Sequence, residues 1–129
     1  KERNIKNVLM DQRIIAGLGN IYVCEALFKS GISPLLSAKR LVNNDKTPKK
    51  ELNYLIKNIK KIIESSIMLG GSSLRDYVNT QGKMGYFQKI FNVYGREGKG
   101  CISKDCSSRI RRIVQSNRST FFCPSCQKK

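Results

Sequence analysis

Four cysteines stand in two close pairs in the last third of the chain: Cys101 with Cys106, and Cys123 with Cys126 in the knuckle Cys123-Pro124-Ser125-Cys126. Close thiolate pairs that bracket a β-hairpin form a tetrahedral cage for zinc, and the Cys-Pro-Ser-Cys knuckle is the stronger half of this signal. Four cysteines fill the coordination sphere and leave no position for a catalytic water, so the metal is structural. A redox Cys-x-x-Cys needs a βαβ setting, which is absent here. The chain has no histidine. Ser-His and Cys-His nucleophile pairs are thereby excluded, and any metal must rest on cysteine or carboxylate. The fifth cysteine, Cys24, falls on an apolar helix face and reads as a small core residue.

Arg109, Arg111, Arg112 and Arg118 lie between the two knuckles, and Arg112 and Arg118 flank a turn at Gln115-Ser116-Asn117. A hairpin of this size has too little core to fold alone, so metal binding supplies its folding free energy. A rigid hairpin with arginines at its tip suits phosphate contact or groove insertion. A second candidate anion site lies near the start, in Ala16-Gly17-Leu18-Gly19-Asn20. Two glycines turn the chain and Asn20 reads as the N-cap of a following helix. The unpaired N–H groups there carry partial positive charge. Taken alone, the same residues also read as an ordinary turn with an N-cap.

The overall charge favours the anion reading. In 129 residues there are 25 Lys+Arg against 9 Asp+Glu, a formal net charge of +16. A four-thiolate zinc lowers this by only two and leaves the sign unchanged. So basic a chain suits a polyanionic partner, nucleic acid first. There is no apolar run long enough to span a bilayer, no signal-peptide pattern and no lipidation motif, so a membrane partner is not expected.

The elements that must position these residues are mostly helical. Ile5, Val8 and Leu9 predict a short first helix ending near Asp11 or Gln12. Ile21, Cys24, Leu27 and Phe28 predict a second, stopped by Ser30-Gly31. Ser37 to Leu41 suggests one helical turn, and Asn43-Asn44-Asp45 a break. Thr47-Pro48 reads as N-cap and first position of the longest helix, residues 48–69, with Leu52, Leu55, Ile56, Ile59, Ile62, Ile63 and Ile67 as its apolar face. Its lysines at 49, 50, 57, 60 and 61 read as a solvated face. Gly70-Gly71 ends it. Residues 72–87 lack periodicity and read as a long functional loop, with one helical turn at Leu74 to Val78. Beyond it, Phe91 to Tyr94, Arg109 to Val114 and Ser119 to Phe122 are β-prone. The expected fold is mainly α with a small β-hairpin zinc ribbon. Residues 1–71 form a helical DNA-binding domain, 72–90 a loop and linker, and 91–129 a four-cysteine finger.

These pieces together resemble the formamidopyrimidine-DNA glycosylases. The resemblance runs through Asp11-Gln12, Ala16 to Tyr22, Glu25-Ala26-Leu27-Phe28 and Gly31-Ile32-Ser33-Pro34, which match a helix–two-turns–helix unit. It continues through Gly70-Gly71, Leu74-Arg75-Asp76-Tyr77, Gly82-Lys83, Gly85-Tyr86-Phe87, Val93-Tyr94-Gly95-Arg96 and Arg118 to Pro124. The sister family, endonuclease VIII, shares the architecture, but Asn20-Ile21-Tyr22 and the loop at 82–87 are more like the first. A stand-alone zinc-ribbon module that binds nucleic acid without catalysis is the alternative; it has no need of a loop carrying Gly85-Tyr86-Phe87.

The resemblance implies a bacterial base-excision repair enzyme, cytoplasmic and monomeric, with one structural zinc. Such an enzyme removes 8-oxoguanine and formamidopyrimidines from duplex DNA and cuts the abasic site. Gly19, Asn20, Tyr94, Arg112 and Arg118 would grip the DNA backbone, with Arg118 also a proton donor in the final elimination. Ser73, Tyr77, Gly82, Lys83, Met84, Gly85, Tyr86 and Phe87 would close over the extruded base. Cys101, Cys106, Cys123 and Cys126 would hold the zinc. The first cysteine pair is longer than the family's usual two-residue spacing. The family's nucleophile is an N-terminal proline amine followed by glutamate, on a separate β-rich domain. Lys1-Glu2 enters the helical region directly, so these residues alone are expected to bind DNA and zinc without glycosylase activity.

Overall fold

A computed structural model describes residues 3–11, 13, 19–68 and 91–129, with the backbone alone described at 65–68. In chain order the elements are α1 (Ile5–Met10), α2 (Asn20–Ser30), a 3₁₀ turn (Ala38–Leu41), α3 (Lys50–Met68), β1 (Arg111–Gln115) and β2 (Arg118–Phe122). The fold is mainly α with one antiparallel hairpin, as the composition of motifs predicts. No described helix is long and apolar enough to cross a membrane. Ala16, Gly17 and Leu18 of the predicted glycine turn, the helix-ending Gly70-Gly71 and the loop at 72–87 lie outside the described residues.

α2 is the centre of the packing. Val23, Cys24, Glu25, Ala26 and Leu27 are all buried on it. Val23, Ala26 and Leu27 join Ile5, Leu9, Leu55 and Ile59 in a helical core. Cys24 turns the other way, into a second core with Val93, Ile110, Phe121 and Cys123. One helix therefore serves both the helical bundle and the cysteine-rich end. It ends where Gly31 adopts φ +70°, a left-handed cap that glycine takes without steric cost, with its N–H on Leu27 O and Phe28 O. Just beyond, Lys128 N–H donates to Gly31 O and Ser33 N–H to Lys128 O, both at 2.9 Å, so the end of the chain is strapped to α2.

α1 is capped by Asn4, whose side chain accepts from Asn7 N–H at 2.8 Å. α3 starts at Lys50, two residues later than the Thr47-Pro48 signal predicts. Pro48 instead pairs with Val42 in an isolated bridge, and Lys49 N–H donates to Leu41 O at 2.9 Å. Thr47 is held by Asp45, which accepts from its N–H and its hydroxyl. The turn chemistry is thus spent on closing the 43–47 loop before the helix begins. On α3, Leu55 and Ile59 of the predicted apolar face are buried and Leu52 and Ile62 partly so; the side chain of Ile67 lies outside those described. Ile56 and Ile63 are 42% and 40% exposed, because they sit at the edge of a stripe too narrow for seven apolar positions. The lysines at 49, 50, 57, 60 and 61 are exposed. Asn58 is buried instead, donating to Ser30 Oγ at 3.0 Å.

β1 and β2 pair with Arg112 opposite Phe121 and Gln115 opposite Arg118. Ser116 and Asn117 have φ +50° and +65°, the conformation of a two-residue type I′ turn whose twist matches the strands. Arg109, predicted as the start of this strand, lies outside β1: it forms a separate bridge to Gly100, and its guanidinium donates to Gly98 O at 2.7 Å. Phe91 to Tyr94 is not a strand either. Its backbone bends so that three successive N–H groups meet Glu25, which no sheet ladder permits.

Candidate metal centre and nucleic-acid interface

The four paired cysteines converge. The Sγ atoms of Cys101, Cys106, Cys123 and Cys126 all lie within 4.8 Å of one another. Cys101 and Cys126 are 3.7 Å apart, as are Cys106 and Cys123. A tetrahedral zinc with Zn–S bonds of about 2.3 Å sets its sulfurs about 3.8 Å apart, so the cluster fits that ion. Ser103 N–H points at Cys101 Sγ and Cys126 N–H at Cys123 Sγ, which suits thiolates. The longer first knuckle closes through Asp105, whose φ of +63° is left-handed. Cys106 N–H then donates to Ser103 O at 3.2 Å. The extra residues lengthen the loop and keep Cys101 in the cage. Cys24 stays out of it: burial pushes its thiol up, and it packs as a core residue.

Gln127 fixes the second knuckle from behind. Its Oε1 accepts from Cys123 N–H at 2.7 Å and its Nε2 donates to Ile32 O at 2.9 Å. Sequence reading missed this residue, since a lone glutamine next to a cysteine carries no signal of its own.

The predicted backbone-gripping residues gather around the N-terminus of α2 and the hairpin. Asn20 is the first residue of α2 and not its N-cap; Gly19 holds the cap position, with φ −87° and no side-chain cap bond. The asparagine side chain is drawn off by the hairpin. Its Nδ2 donates to Ser119 O at 2.8 Å, and its Oδ1 is buried with no hydrogen bond among the described residues. Gly19 has ordinary extended dihedrals, and a Cβ there would meet nothing within 4 Å. Among the described residues neither strain nor crowding calls for glycine, and as a cap residue it offers the helix end no side-chain bond.

The bond from Asn20 reaches the residue next to Arg118. Arg118 is exposed beside the hairpin turn and lines a cleft of about 240 Å³ with Arg3, Lys6 and Gln115. Arg112 lies on the opposite face of the hairpin, because side chains alternate along a strand. Its Nε donates to Ser119 Oγ at 2.9 Å. Tyr94 reaches the Arg112 face through Phe121, the cross-strand partner of Arg112, at a ring separation of 4.7 Å and an edge-on angle of 63°. The structure therefore unites Asn20 with the backbone beside Arg118, and Tyr94 with the hairpin face of Arg112. Ser73, Tyr77, Gly82, Lys83, Met84, Gly85, Tyr86 and Phe87 lie outside the described residues.

This arrangement has relatives. The family model for the formamidopyrimidine-DNA glycosylase H2TH domain matches residues 1–78. The chain belongs to this H2TH family. The model of a zinc finger found in FPG and IleRS matches residues 104–129, and the structure adds Cys101 to that finger. Formamidopyrimidine-DNA glycosylases of Rhizobium etli and Rhizobium meliloti are 49% and 52% identical over 128 residues, 99% of this chain. The chain spans 43% and 42% of their lengths. Among solved structures, the Lactococcus lactis Fpg bound to abasic-site DNA superposes with a TM-score of 0.75 at 36% identity, over 100% of this chain and 44% of that one. MutM in complex with carbocyclic 8-oxo-G DNA gives 0.74 at 37% identity, over 98% and 42%. An H2TH unit joined to a four-cysteine finger that fits one structural zinc is what the sequence motifs predict.

Proposed function

We propose that this chain is the DNA-binding part of a bifunctional base-excision repair glycosylase and abasic-site lyase that removes oxidised purines, 8-oxoguanine and formamidopyrimidines, from duplex DNA. The observation that carries the proposal is the Asn20–Ser119 hydrogen bond. It ties a helix N-terminus whose cap, Gly19, makes no side-chain bond to the strand that presents Arg118, giving two phosphate-binding devices in one unit. The relatives that share the architecture are bound to abasic-site and 8-oxo-G DNA.

In this reading Gly19 and Asn20 grip the DNA backbone from the helical side, and Tyr94, Arg112 and Arg118 from the finger side. Arg118 also donates a proton in the final elimination. Flipping the damaged base costs a few kcal/mol of unstacking, and the loop containing Ser73, Tyr77 and Gly82 to Phe87 covers the extruded base. Residues 1–71 are the H2TH domain, 72–90 the covering loop and 91–129 the finger. The zinc supplies rigidity to the finger; the phosphate contacts are made by the chain's own side chains and N–H groups. The 129 residues by themselves do not excise a base, since the Pro-Glu nucleophile segment is not among them. The protein acts as a cytoplasmic monomer on nucleoid DNA.

Fluorescence anisotropy with an abasic-analogue duplex tests this. Affinity should fall steeply between about 50 and about 200 mM salt, as phosphate contacts are lost. Arg118→Ala should weaken binding by about 1–3 kcal/mol, the range for a charge-assisted hydrogen bond. Salt-insensitive binding, or an Arg118→Ala affinity equal to wild type, overturns the reading.

A further inference from the structure

Glu25 is a buried acid, 6% exposed, whose carboxylate makes no ion pair among the described residues. It accepts main-chain hydrogen bonds instead: Asn92 N–H to Oε1 at 2.8 Å, and Val93 and Tyr94 N–H to Oε2 at 2.9 Å each. A desolvated carboxylate is costly unless its lone pairs are satisfied, and three converging N–H groups satisfy them. The same bonds fix the orientation of three successive peptide groups. Tyr94 is then held twice, by its own N–H on Glu25 and by its ring edge-on to Phe121 and Phe91. Glu25 lies five residues after Asn20 on the same helix, about 7.5 Å along its axis. A helix does not stretch, so the separation of Asn20 and the Tyr94 loop is set by α2.

We infer that Glu25 is a positioning residue that sets Tyr94 against the DNA backbone and fixes its spacing from Asn20. The inference rests on the DNA-binding reading above. Glutamine in its place offers one oxygen and turns an N–H₂ toward a backbone donor, and aspartate withdraws the carboxylate by about one C–C bond, roughly 1.5 Å. Either change frees the loop without touching any group that contacts DNA.

The test is a double-mutant cycle on the zinc-loaded chain, with a tetrahydrofuran-containing duplex as probe and zinc content and circular dichroism as controls for folding. Glu25→Gln should weaken binding about tenfold or more, and Tyr94→Phe should cost less in the Glu25→Gln background than in wild type. Amide signals of Asn92, Val93 and Tyr94 should move in Glu25→Asp while those of the β1–β2 turn stay in place. Additive penalties overturn the inference and leave the DNA-binding reading intact; salt-insensitive binding of the wild type overturns that reading itself. If neither Glu25 variant folds, the wild-type amides of residues 92–94 decide. Their concerted shift on adding the duplex supports the inference, and their failure to respond overturns it.

Discussion

The ammonium of Lys6 donates to the Thr120 hydroxyl at 2.8 Å, with the two residues 1% and 0% exposed. A lysine from the first helix is thus sealed beneath the second strand of the hairpin, 114 positions away in sequence. Burial lowers its pKa below the ordinary value of 10.5, the nearby Cys24 opposes that shift and Arg118 adds to it. The bond joins the helical core to the strand that carries Arg118.

Breaking this pair on one side should be costly and replacing both sides should not. Lys6→Met leaves the Thr120 hydroxyl without its donor and should lower stability by about 1–3 kcal/mol. The double variant Lys6→Met with Thr120→Val should recover most of the loss, since an apolar pair of similar volume needs no partner. Urea unfolding of the zinc-loaded chain measures both. The lowered pKa also has a direction in pH. Between the lowered value and 10.5 the unfolded chain holds the proton that the folded chain has released, so stability from this group rises with pH. Wild type should therefore gain on Lys6→Met across that alkaline window. A constant difference would contradict the shift.

Cys101 lies outside the span of the finger family's match yet inside the cage. Cys101→Ser should reduce zinc affinity as severely as Cys126→Ser, by more than the roughly 10–100-fold typical for losing a group behind a ligand. Competition with a chromophoric chelator measures this. Complete chelation should unfold the hairpin and leave much of the helical signal, because metal binding is folding free energy for the finger. One zinc per chain is the expected stoichiometry.

Gln127 satisfies two buried main-chain groups at once. Gln127→Leu leaves Cys123 N–H and Ile32 C=O unpaired, at about 1–3 kcal/mol each. The thermal midpoint should drop while the zinc stoichiometry stays at one. An unchanged midpoint would show that the strap from the second knuckle to α2 is not under load.

Local chemistry was readable where a residue's role depends on its close neighbours. The Cys123-Pro124-Ser125-Cys126 knuckle and the left-handed Gly31 stop each follow from one stretch of chain, and each stands in the structure where its pattern placed it, whereas the predicted single apolar face of α2 is divided, with Leu27 in the helical core and Cys24 and Phe28 in the cysteine-rich one. A local signal is overridden where it meets a distant competitor. Asn20 is a good N-cap by type, but Ser119 takes its amide and Gly19 takes the cap. Thr47-Pro48 is a good helix start by type, but Val42 and Leu41 claim the backbone first. Phe91 to Tyr94 is β-prone by composition, but Glu25 bends it into a loop.

The sequence by itself determined the basic charge, the four ligands of the zinc centre, the succession of helices and hairpin, and the motifs that mark the family. These depend on residue type and on spacing within a few positions. Only the tertiary structure decided that Lys6 is buried under Thr120, that Glu25 governs the loop of Tyr94, and that Arg112 and Arg118 occupy opposite faces of one hairpin. Those facts rest on pairings across tens of residues. A buried polar group is satisfied by whichever partner the packed chain brings within about 3 Å, and periodicity along the sequence does not name that partner.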